Sequence, residues 1–247
     1  MSQFRKPMFG TRLRGYARGT RARKGIRAPL SVGISLVNLI AYYTLSDLND
    51  SSGNNRTLTN NGSATFVAGK VGNAVSEVQG GPSSQYLSST DSGFDLAATP
   101  FTLAIWVKAT SFDANRQYAI NKMDTVGTGV GYALRVNAAG VPSFLIPAAE
   151  VIWGSALVIG TWYFLCARWD RANGTMYLRV NDAADVSLVT AQDVSNEPGI
   201  TFTMGSWAGA AFHWNGQLDE CAIFNRYLLD PEVAYLYNNG VGRTWPL

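Results

Sequence analysis

Residues 160–181 read GTWYFLCARWDRANGTMYLRVN and contain the strongest fold signal of the chain. Residues 162–169 form a run rich in aromatic and apolar side chains, which is typical of a β-strand in a packed core. Residues 172–174, Ala-Asn-Gly, are small and turn-forming residues that reverse the chain. Residues 176–180 then alternate with a period of two. The segment therefore predicts a β-hairpin.

The same pattern continues on both sides of this hairpin. Turns are predicted at residues 50–55 and 59–62, where Asp, Ser, Asn, Thr and Gly cluster. Short strands separated by such turns, beginning near residue 38, are typical of an antiparallel β-sandwich. Further strands are predicted at residues 101–107, 132–136 and 218–224.

The last part of the chain predicts one short helix at residues 230–240. Asp230 suits the N-cap and Pro231 the first helical position, while Gly240 suits the end of the helix. The packed face of this helix would carry Val233, Leu236 and Tyr237.

The composition agrees with an all-β protein. Apolar residues make up 47% of the 247 residues and charged residues 15%, which excludes a disordered, highly charged chain. Aromatic residues reach 12% and there are 25 glycines, so the composition favours strands and tight turns over a helix bundle.

The formal net charge of +3 hides a strong division along the chain. Residues 1–30 hold nine basic side chains and no acidic one, whereas the remainder holds 11 basic and 17 acidic side chains and carries −6. Four glycines and mutual repulsion oppose a helix in the basic segment. We therefore predict an extended basic arm and linker at 1–37 and a globular domain at 38–247. The anchoring residues of the arm would be Arg5, Lys6, Arg12, Arg14, Arg18, Arg21, Arg23, Lys24 and Arg27.

The two cysteines, Cys166 and Cys221, are too few for a disulfide scaffold. They could form one disulfide bond or remain two buried free thiols. The single histidine, His213, argues against a zinc site. Residues 30–45 are apolar, but they are too short and too polar for a membrane span and lack the features of a signal peptide. We therefore expect that the protein does not associate with a membrane. We also expect that it is assembled in the cytoplasm of a host cell.

Five stretches, in order along the chain, resemble the laminin-G-like, concanavalin A-like jelly-roll family. The resemblance covers residues 39–243 and implies two antiparallel sheets with the termini on neighbouring strands, a short C-terminal helix and the arm outside the fold. The stretches are AYYTLSDLNDSSGNN (41–55), GKVGNAV (69–75), FTLAIWVKA (101–109), the hairpin quoted above (160–181) and GQLDECAIFNRYLLDPEVAYLYNNG (216–240).

Some enzymes with this fold hydrolyse β-glucans with paired carboxylates on one strand, and a retaining glycosidase needs two carboxyl groups about 5–5.5 Å apart. None of the five glutamates of this chain has the spacing of such a pair. Asp219 and Glu220 are adjacent, so in a regular strand they would point to opposite faces. His213 would have to be the only base of any catalytic triad. We therefore predict that the chain is not an enzyme.

The resemblance also implies one structural calcium ion, because Asp50 and Asp219 match acidic positions of the family and carboxylate oxygens suit this cation. In the alternative interpretation, Asp50 caps its own turn and Asp219 accepts hydrogen bonds within the sheet. The residues alone leave both interpretations open.

A second candidate ligand is a glycan. Carbohydrate-binding modules present flat aromatic side chains flanked by amides, whereas Trp106, Trp162 and Trp169 lie in predicted strands and are expected in the core. Contact with a neighbouring protein and simple packing are the alternatives. The candidate residues in predicted loops or strand ends are Trp153, Trp207, His213, Trp214 and Asn215.

Two functions agree with these features. The first is a non-catalytic virion structural protein, such as a capsid decoration, head fibre or minor capsid subunit of a bacteriophage or virus. Its arm would anchor it to capsid or other virion proteins in a homo- or hetero-oligomeric assembly, with the apolar linker at 28–40 packed against a neighbouring subunit. The alternative is a free carbohydrate-binding, lectin-like module whose tail binds an anionic surface or nucleic acid through its cationic side chains.

Overall fold

The computed structural model describes Met1 and residues 33–77, 85–113, 115–124, 129–195, 199–209 and 211–247. The chain divides into two units, 1–31 and 32–247. The nine basic residues of the predicted arm lie outside the described residues, so the arm and the domain boundary at residue 38 stay predictions.

The described part of the second unit consists mainly of short β-strands. One α-helix, α1, spans Asp230–Tyr237, and two 3₁₀-helices span Ser92–Phe94 and Asn238–Gly240. The strands are β1 (Leu39–Tyr43), β2 (Thr59–Asn61), β3 (Thr65–Ala68), β4 (Asn73–Glu77), β5 (Tyr86–Ser89), β6 (Phe101–Ala109), β7 (Gln117–Met123), β8 (Gly131–Val136), β9 (Pro142–Ile146), β10 (Ala149–Ile152), β11 (Tyr163–Asp170), β12 (Thr175–Val180), β13 (Val186–Val189), β14 (Phe202–Met204) and β15 (Gly216–Phe224).

These strands form two antiparallel sheets. Sheet A has the order β13-β12-β11-β6-β15-β4-β3, and β1 also pairs with β15; sheet B has the order β10-β9-β8-β7-β14-β5-β2. The pairing of β1 with β15 places the first and last strands side by side, as the family resemblance implied. The predicted two-sheet jelly-roll sandwich with one short C-terminal helix is confirmed.

The hairpin that led to the fold prediction consists of β11 and β12. Their pairing runs from Leu165 opposite Val180 to Asp170 opposite Thr175. The strands predicted at 101–107, 132–136 and 218–224 are also present, each extended by one or more residues. The turn predicted at 59–62 is partly wrong, because residues 59–61 are β2 and only Gly62 and Ser63 turn. Pairing of β2 with β5 supplies the hydrogen bonds that the local sequence does not reveal.

The main core lies between the sheets, and apolar side chains of β6, β8, β11 and β15 fill it at alternate positions. Trp169 is 1% exposed in this core. Trp106 is 2% exposed on the outer face of sheet A, so two of the three tryptophans predicted in the core are confirmed, and the prediction is wrong for Trp162. Trp162 is only partly buried, and the Nζ of Lys108 lies 5.1 Å from its ring centroid.

Helix α1 covers the outer face of sheet A. Val233 and Leu236 are buried there, and the ring of Tyr237 stacks on Trp106 at a centroid distance of 5.7 Å. The predicted N-cap is wrong by one residue: Leu229 occupies the cap position, and the Glu232 carboxylate accepts its N–H at 3.0 Å.

Asp230 instead takes part in an ion network between α1 and sheet A. The guanidinium of Arg168 is fully buried and donates to the Leu228 carbonyl at 2.8 Å and to Asp230 at 2.9 Å. Arg168 also pairs with Asp185, and Arg179 pairs with both aspartates. The network fixes the start of α1 against sheet A.

Residues 33–40 pack against their own domain. Ile34 and Leu39 are buried in the cluster beneath α1, and Arg226 donates to the carbonyls of Ser35 at 2.6 Å and Val37 at 3.0 Å. Leu36 and Val37 of the same stretch are 41% and 67% exposed. Packing of the apolar linker against a neighbouring subunit therefore stays a prediction.

The two cysteines are buried free thiols. Cys166 lies in the cluster on the outer face of sheet A, whereas Cys221 lies in the core between the sheets. Because they occupy opposite faces of one sheet, the disulfide alternative fails. Among the described residues, no helix has the length and apolar character needed to span a bilayer.

Candidate functional site

An open cleft of about 370 Å³ lies at one end of sheet B. The segment before β7 contributes Asn115 and Arg116, and the turn between β8 and β9 contributes Asn137 and Ala138. Phe212 completes the described lining from the loop before β15. Because β7 and β8 are antiparallel, the start of one and the end of the other meet at this edge. We call it the sheet B cleft.

Local hydrogen bonds fix the two loops of the sheet B cleft. The Asn137 side-chain oxygen accepts the N–H groups of Ala139 at 2.9 Å and Val141 at 3.0 Å. The Asp113 carboxylate accepts the N–H of Asn115 at 2.8 Å. These asparagine and aspartate turns hold the backbone in place before any ligand binds.

Phe212 is held by other aromatic rings. Its carbonyl accepts the N–H of Tyr118 at 3.1 Å, and its ring centroid lies 6.1 Å from Tyr118 and 5.6 Å from Trp207. Its backbone has a φ of +53°, which is uncommon for a residue with a bulky side chain. Together these contacts position the Phe212 ring at the outer face of sheet B.

A buried polar network supports this aromatic group from below. Arg135 is 4% exposed and donates to the Tyr118 hydroxyl at 3.0 Å, to Ser143 at 3.3 Å and to Glu150 at 2.8 Å. Since the arginine donors are satisfied, Tyr118 stays fixed beneath Phe212.

Arg116 differs from most other arginines of the domain. Six of the eight described arginines form ion pairs with aspartate or glutamate, namely Arg56, Arg135, Arg168, Arg171, Arg179 and Arg226. Arg116 and Arg243 form none with the described residues, and each lines an open cleft. Arg116 is exposed, so its guanidinium keeps its donors for a ligand.

The structure separates the five residues predicted to bind a ligand. Trp207 is half-buried and contacts Phe212, so it borders the sheet B cleft. Trp153 lies after β10, where it packs against the main core. Asn215 donates to the Ser111 hydroxyl at 2.7 Å and thereby connects the loop to the end of β6.

His213 and Trp214 require a correction, because they are 5% and 0% exposed and offer a ligand no surface. Trp214 packs in the main core, and the His213 ring lies 5.9 Å from Tyr86. Burial lowers the pKa of His213, which favours the neutral imidazole.

The predicted calcium ligands bind backbone amides instead. Asp50 accepts the N–H groups of Tyr42, Ser52 and Arg56 at 2.9–3.2 Å, which is the turn-capping alternative considered above. Asp219 accepts the N–H groups of Lys70 at 2.7 Å and Val71 at 2.9 Å. Within the described ranges, no group of three or more His, Cys, Asp or Glu side chains is placed to hold a metal ion. The calcium site stays a prediction.

Asp219 and Glu220 lie on the same side of the sheet. A β-bulge between Asp219 and Ala222 places Glu220 at a φ of +47° and interrupts the alternation of β15. The Asp219 carboxylate and the Glu220 carboxylate, which accepts a hydrogen bond from the Tyr42 hydroxyl, therefore both lie on the outer face of sheet A. The prediction of opposite faces is wrong.

Burial raises the pKa of Asp219 to about 7 and the pKa of Glu220 to about 8. Glu220 borders a cavity of only about 10 Å³, between Tyr42, Trp106 and Arg243. Such a cavity holds about one water molecule and no sugar ring. The two carboxyl groups therefore have raised pKa values, but a glycan substrate has no space to reach them.

Sequence reasoning missed Asn115, Arg116, Asn137 and Phe212. The turn chemistry of Asn137 is visible in the sequence, because Gly140 follows it and reverses the chain between two strands. The approach of Phe212 to this turn depends on the register of sheet B and on the course of a loop about 75 residues away, for which the local sequence contains no signal.

Comparisons with known proteins agree with the fold. The family model described as "Concanavalin A-like lectin/glucanases superfamily" matches residues 79–234. No curated protein sequence matches the chain.

Several solved structures are similar in fold. The binding domain of botulinum neurotoxin DC, solved in complex with SialylT, has a TM-score of 0.65 at 14% identity and covers 85% of this chain, which spans 53% of that chain. The binding domain of Paraclostridial mosquitocidal protein 1 has a TM-score of 0.60 at 15% identity, with coverages of 83% and 53%. Domain 4 of AbnA, an extracellular GH43 arabinanase from Geobacillus stearothermophilus solved with arabinotriose, has a TM-score of 0.59 at 19% identity, with coverages of 83% and 98%.

The chain thus spans about half the length of the two toxin binding domains and nearly all of the arabinanase domain. At these identities the likeness concerns the fold. The family match covers more than half of the chain and includes most strands of both sheets. The chain therefore belongs to the concanavalin A-like lectin/glucanase superfamily.

Proposed function

We propose that the domain is a non-catalytic carbohydrate-binding module whose ligand occupies the sheet B cleft. One observation carries this proposal: a single open cleft combines an aromatic ring, two asparagines and an arginine that has no ion pair among the described residues. Its volume of about 370 Å³ is within the range of small-molecule sites.

The chemistry of the lining suits a sugar. The apolar face of a sugar ring packs on an aromatic side chain, and the Phe212 ring is held in place for this contact by Tyr118 and Trp207. The Arg116 guanidinium and the Asn115 amide supply donors for hydroxyl or carboxylate oxygens. Similar domains have been solved with SialylT and arabinotriose, which supports a glycan as the class of ligand.

Two features favour binding without catalysis. The described lining of the sheet B cleft contains no aspartate or glutamate, although glycoside hydrolysis uses a pair of carboxyl groups. The adjacent carboxylates Asp219 and Glu220 lie on the other sheet, beneath the C-terminal segment. A glycan in the cleft would contact neither of them.

Phe212→Ala tests this proposal directly. We expect the full chain to bind one or more members of a panel of immobilised neutral and sialylated oligosaccharides. The substitution should weaken that binding by about tenfold or more, because a central aromatic contact is lost. The control is Phe66→Ala, which removes a 36% exposed ring from sheet A.

Binding that survives Phe212→Ala, or that falls equally with Phe66→Ala, would contradict the assignment of the sheet B cleft. A panel to which the full chain does not bind at all would contradict the glycan-binding function itself. Far-UV circular dichroism of each variant would verify that the sandwich is folded.

A second candidate function places this domain in a virion. It is favoured by the charge division, since residues 1–30 carry +9 and the remainder −6. A cationic extended arm is suited to lie across an acidic or composite protein surface. We propose that the arm anchors the domain as a capsid decoration, head fibre or minor capsid subunit.

Deletion of residues 1–30 is expected to abolish incorporation of the protein into purified particles, measured by immunoblotting of the particle fraction. Unchanged incorporation would contradict the anchoring role. If the full chain is retained on immobilised DNA and the deletion variant is not, the arm instead binds nucleic acid, with an affinity that falls steeply with salt.

A further inference from the structure

A second open cleft, of about 350 Å³, lies on the outer side of sheet A. It runs between the turn before β4 and the segment that follows α1. Its described lining contains two cations and no carboxylate. We call it the C-terminal cleft, and its lining includes Lys70, Val71, Tyr235, Asn238, Gly242 and Arg243.

Aromatic rings hold both cations of the C-terminal cleft. The Nζ of Lys70 lies 4.5 Å from the centroid of Trp106. The guanidinium carbon of Arg243 lies 4.0 Å from the centroid of Tyr235, and its Nε donates to the Tyr235 carbonyl at 3.0 Å. Cation–π contacts orient a positive side chain but leave its hydrogen-bond donors free.

Neither cation has an ion partner in the described part of the chain. This sets Arg243 apart from the six arginines with carboxylate partners. Two acidic groups of β15 are engaged behind the cleft: Asp219 accepts the backbone N–H of Lys70, and Glu220 accepts the hydrogen bond of the Tyr42 hydroxyl. The cleft therefore presents uncompensated positive charge.

The floor of the C-terminal cleft is tightly packed. Asn238 has a left-handed backbone and donates to the Gly242 carbonyl at 2.7 Å. A Cβ atom at Gly242, whose φ is +84°, would lie 2.8 Å from Val71 and 3.3 Å from Trp106 Nε1. Close packing of this kind holds the backbone on both sides of the cleft in place without a ligand.

We propose that the C-terminal cleft binds an oxyanion carried by a small polar molecule. An arginine fork and a lysine point charge suit the oxygens of a phosphate, sulfate or carboxylate group. The volume leaves room beyond the anion itself for the rest of such a molecule. The cleft lies on sheet A, so this binding is separate from a glycan in the sheet B cleft.

The test is an NMR titration of the full chain with inorganic phosphate, sulfate and acetate in turn, at constant ionic strength. We expect saturable shifts of the amide signals of residues 70–71 and 235–244. The variants Lys70→Gln and Arg243→Gln should each weaken binding by about tenfold or more, since each removes a charge-assisted contact. Tighter binding of phosphate or sulfate than of acetate would indicate a tetrahedral oxyanion. The reverse order would indicate a carboxylate.

Lys108→Gln is the matched control. Lys108 also lies over an aromatic ring, that of Trp162, and forms no ion pair among the described residues, but it does not line the cleft. It should leave anion binding unchanged. The proposal is wrong if none of the three anions shifts these amides, or if Lys108→Gln weakens binding as much as the two cleft variants do. Chemical denaturation of each variant shows whether it is folded.

Discussion

Arg168→Ala is expected to lower the free energy of unfolding by about 3–5 kcal/mol, the range for breaking a buried ion pair from one side. The side chain is fully buried, and its guanidinium joins Asp185, Asp230 and the Leu228 carbonyl. Its removal leaves Asp185 with Arg179 alone and leaves the Leu228 carbonyl without this donor. Urea denaturation followed by tryptophan fluorescence measures the change.

The control for this prediction is Arg171→Ala. Arg171 donates to Asp193 at 2.8 Å, but these side chains are 43% and 38% exposed. Exposed pairs contribute only about 0–1 kcal/mol because water competes for both partners. Equal effects of the two substitutions would show that the buried network does not hold α1 on sheet A.

The protein is expected to be less stable at about pH 9 than at about pH 5. Burial raises the pKa of Glu77 well above its usual value, the pKa of Asp219 to about 7 and that of Glu220 to about 8. The folded protein therefore holds protons that the unfolded chain releases near about pH 4. The resulting stabilisation is fully present below the pKa values of these groups in the unfolded chain. It is lost as the pH rises through their pKa values in the folded protein.

The free energy of unfolding, measured by urea denaturation across this pH range, should fall by several kcal/mol, because each unit of pKa difference corresponds to about 1.4 kcal/mol. Glu77→Gln should reduce the slope. Glu77 is 1% exposed, and neither of its carboxylate oxygens has a hydrogen-bond partner among the described residues. The glutamine cannot ionise, so it removes one of the three titrating groups.

Glu232→Gln provides a comparison with a group whose pKa is lowered by folding instead of raised. Arg226 lowers the pKa of Glu232 through a paired contact of 2.8–2.9 Å. Its stabilising contribution is present above its unfolded pKa and is lost only at more acidic pH. The substitution should therefore leave the slope between about pH 5 and 9 unchanged. A stability that rises with pH in the parent protein would contradict the prediction.

Much of the fold is visible in the sequence, because strand periodicity and turn composition are local signals. The strands β6 and β12 follow from apolar alternation and β11 from a run of aromatic and apolar residues, and Val233 and Leu236 were found from the helical pattern. The errors occur where tertiary contacts override local preference. Asp230 is a good N-cap residue, but Arg168 and Arg179 occupy its carboxylate.

The sheet B cleft was only partly predictable. Trp207 was among the predicted residues because aromatic side chains in predicted loops or strand ends suit a carbohydrate-binding surface. Phe212 was not, since its exposure depends on a left-handed backbone and on stacking with Tyr118. Similarly, the alternation rule failed for Glu220, because a bulge residue cannot be identified from an apolar pattern that continues on both sides of it.

The described domain begins and ends on the same layer. Ile34 and the C-terminal residues Trp245 and Leu247 all pack in the cluster on the outer side of sheet A, whereas the sheet B cleft belongs to the other layer. A scaffold that grips the domain through either of these ends would leave the sheet B cleft unobstructed. Many copies on one scaffold would then present their clefts together, and the glycan binding proposed for this cleft would gain avidity from multivalent contact.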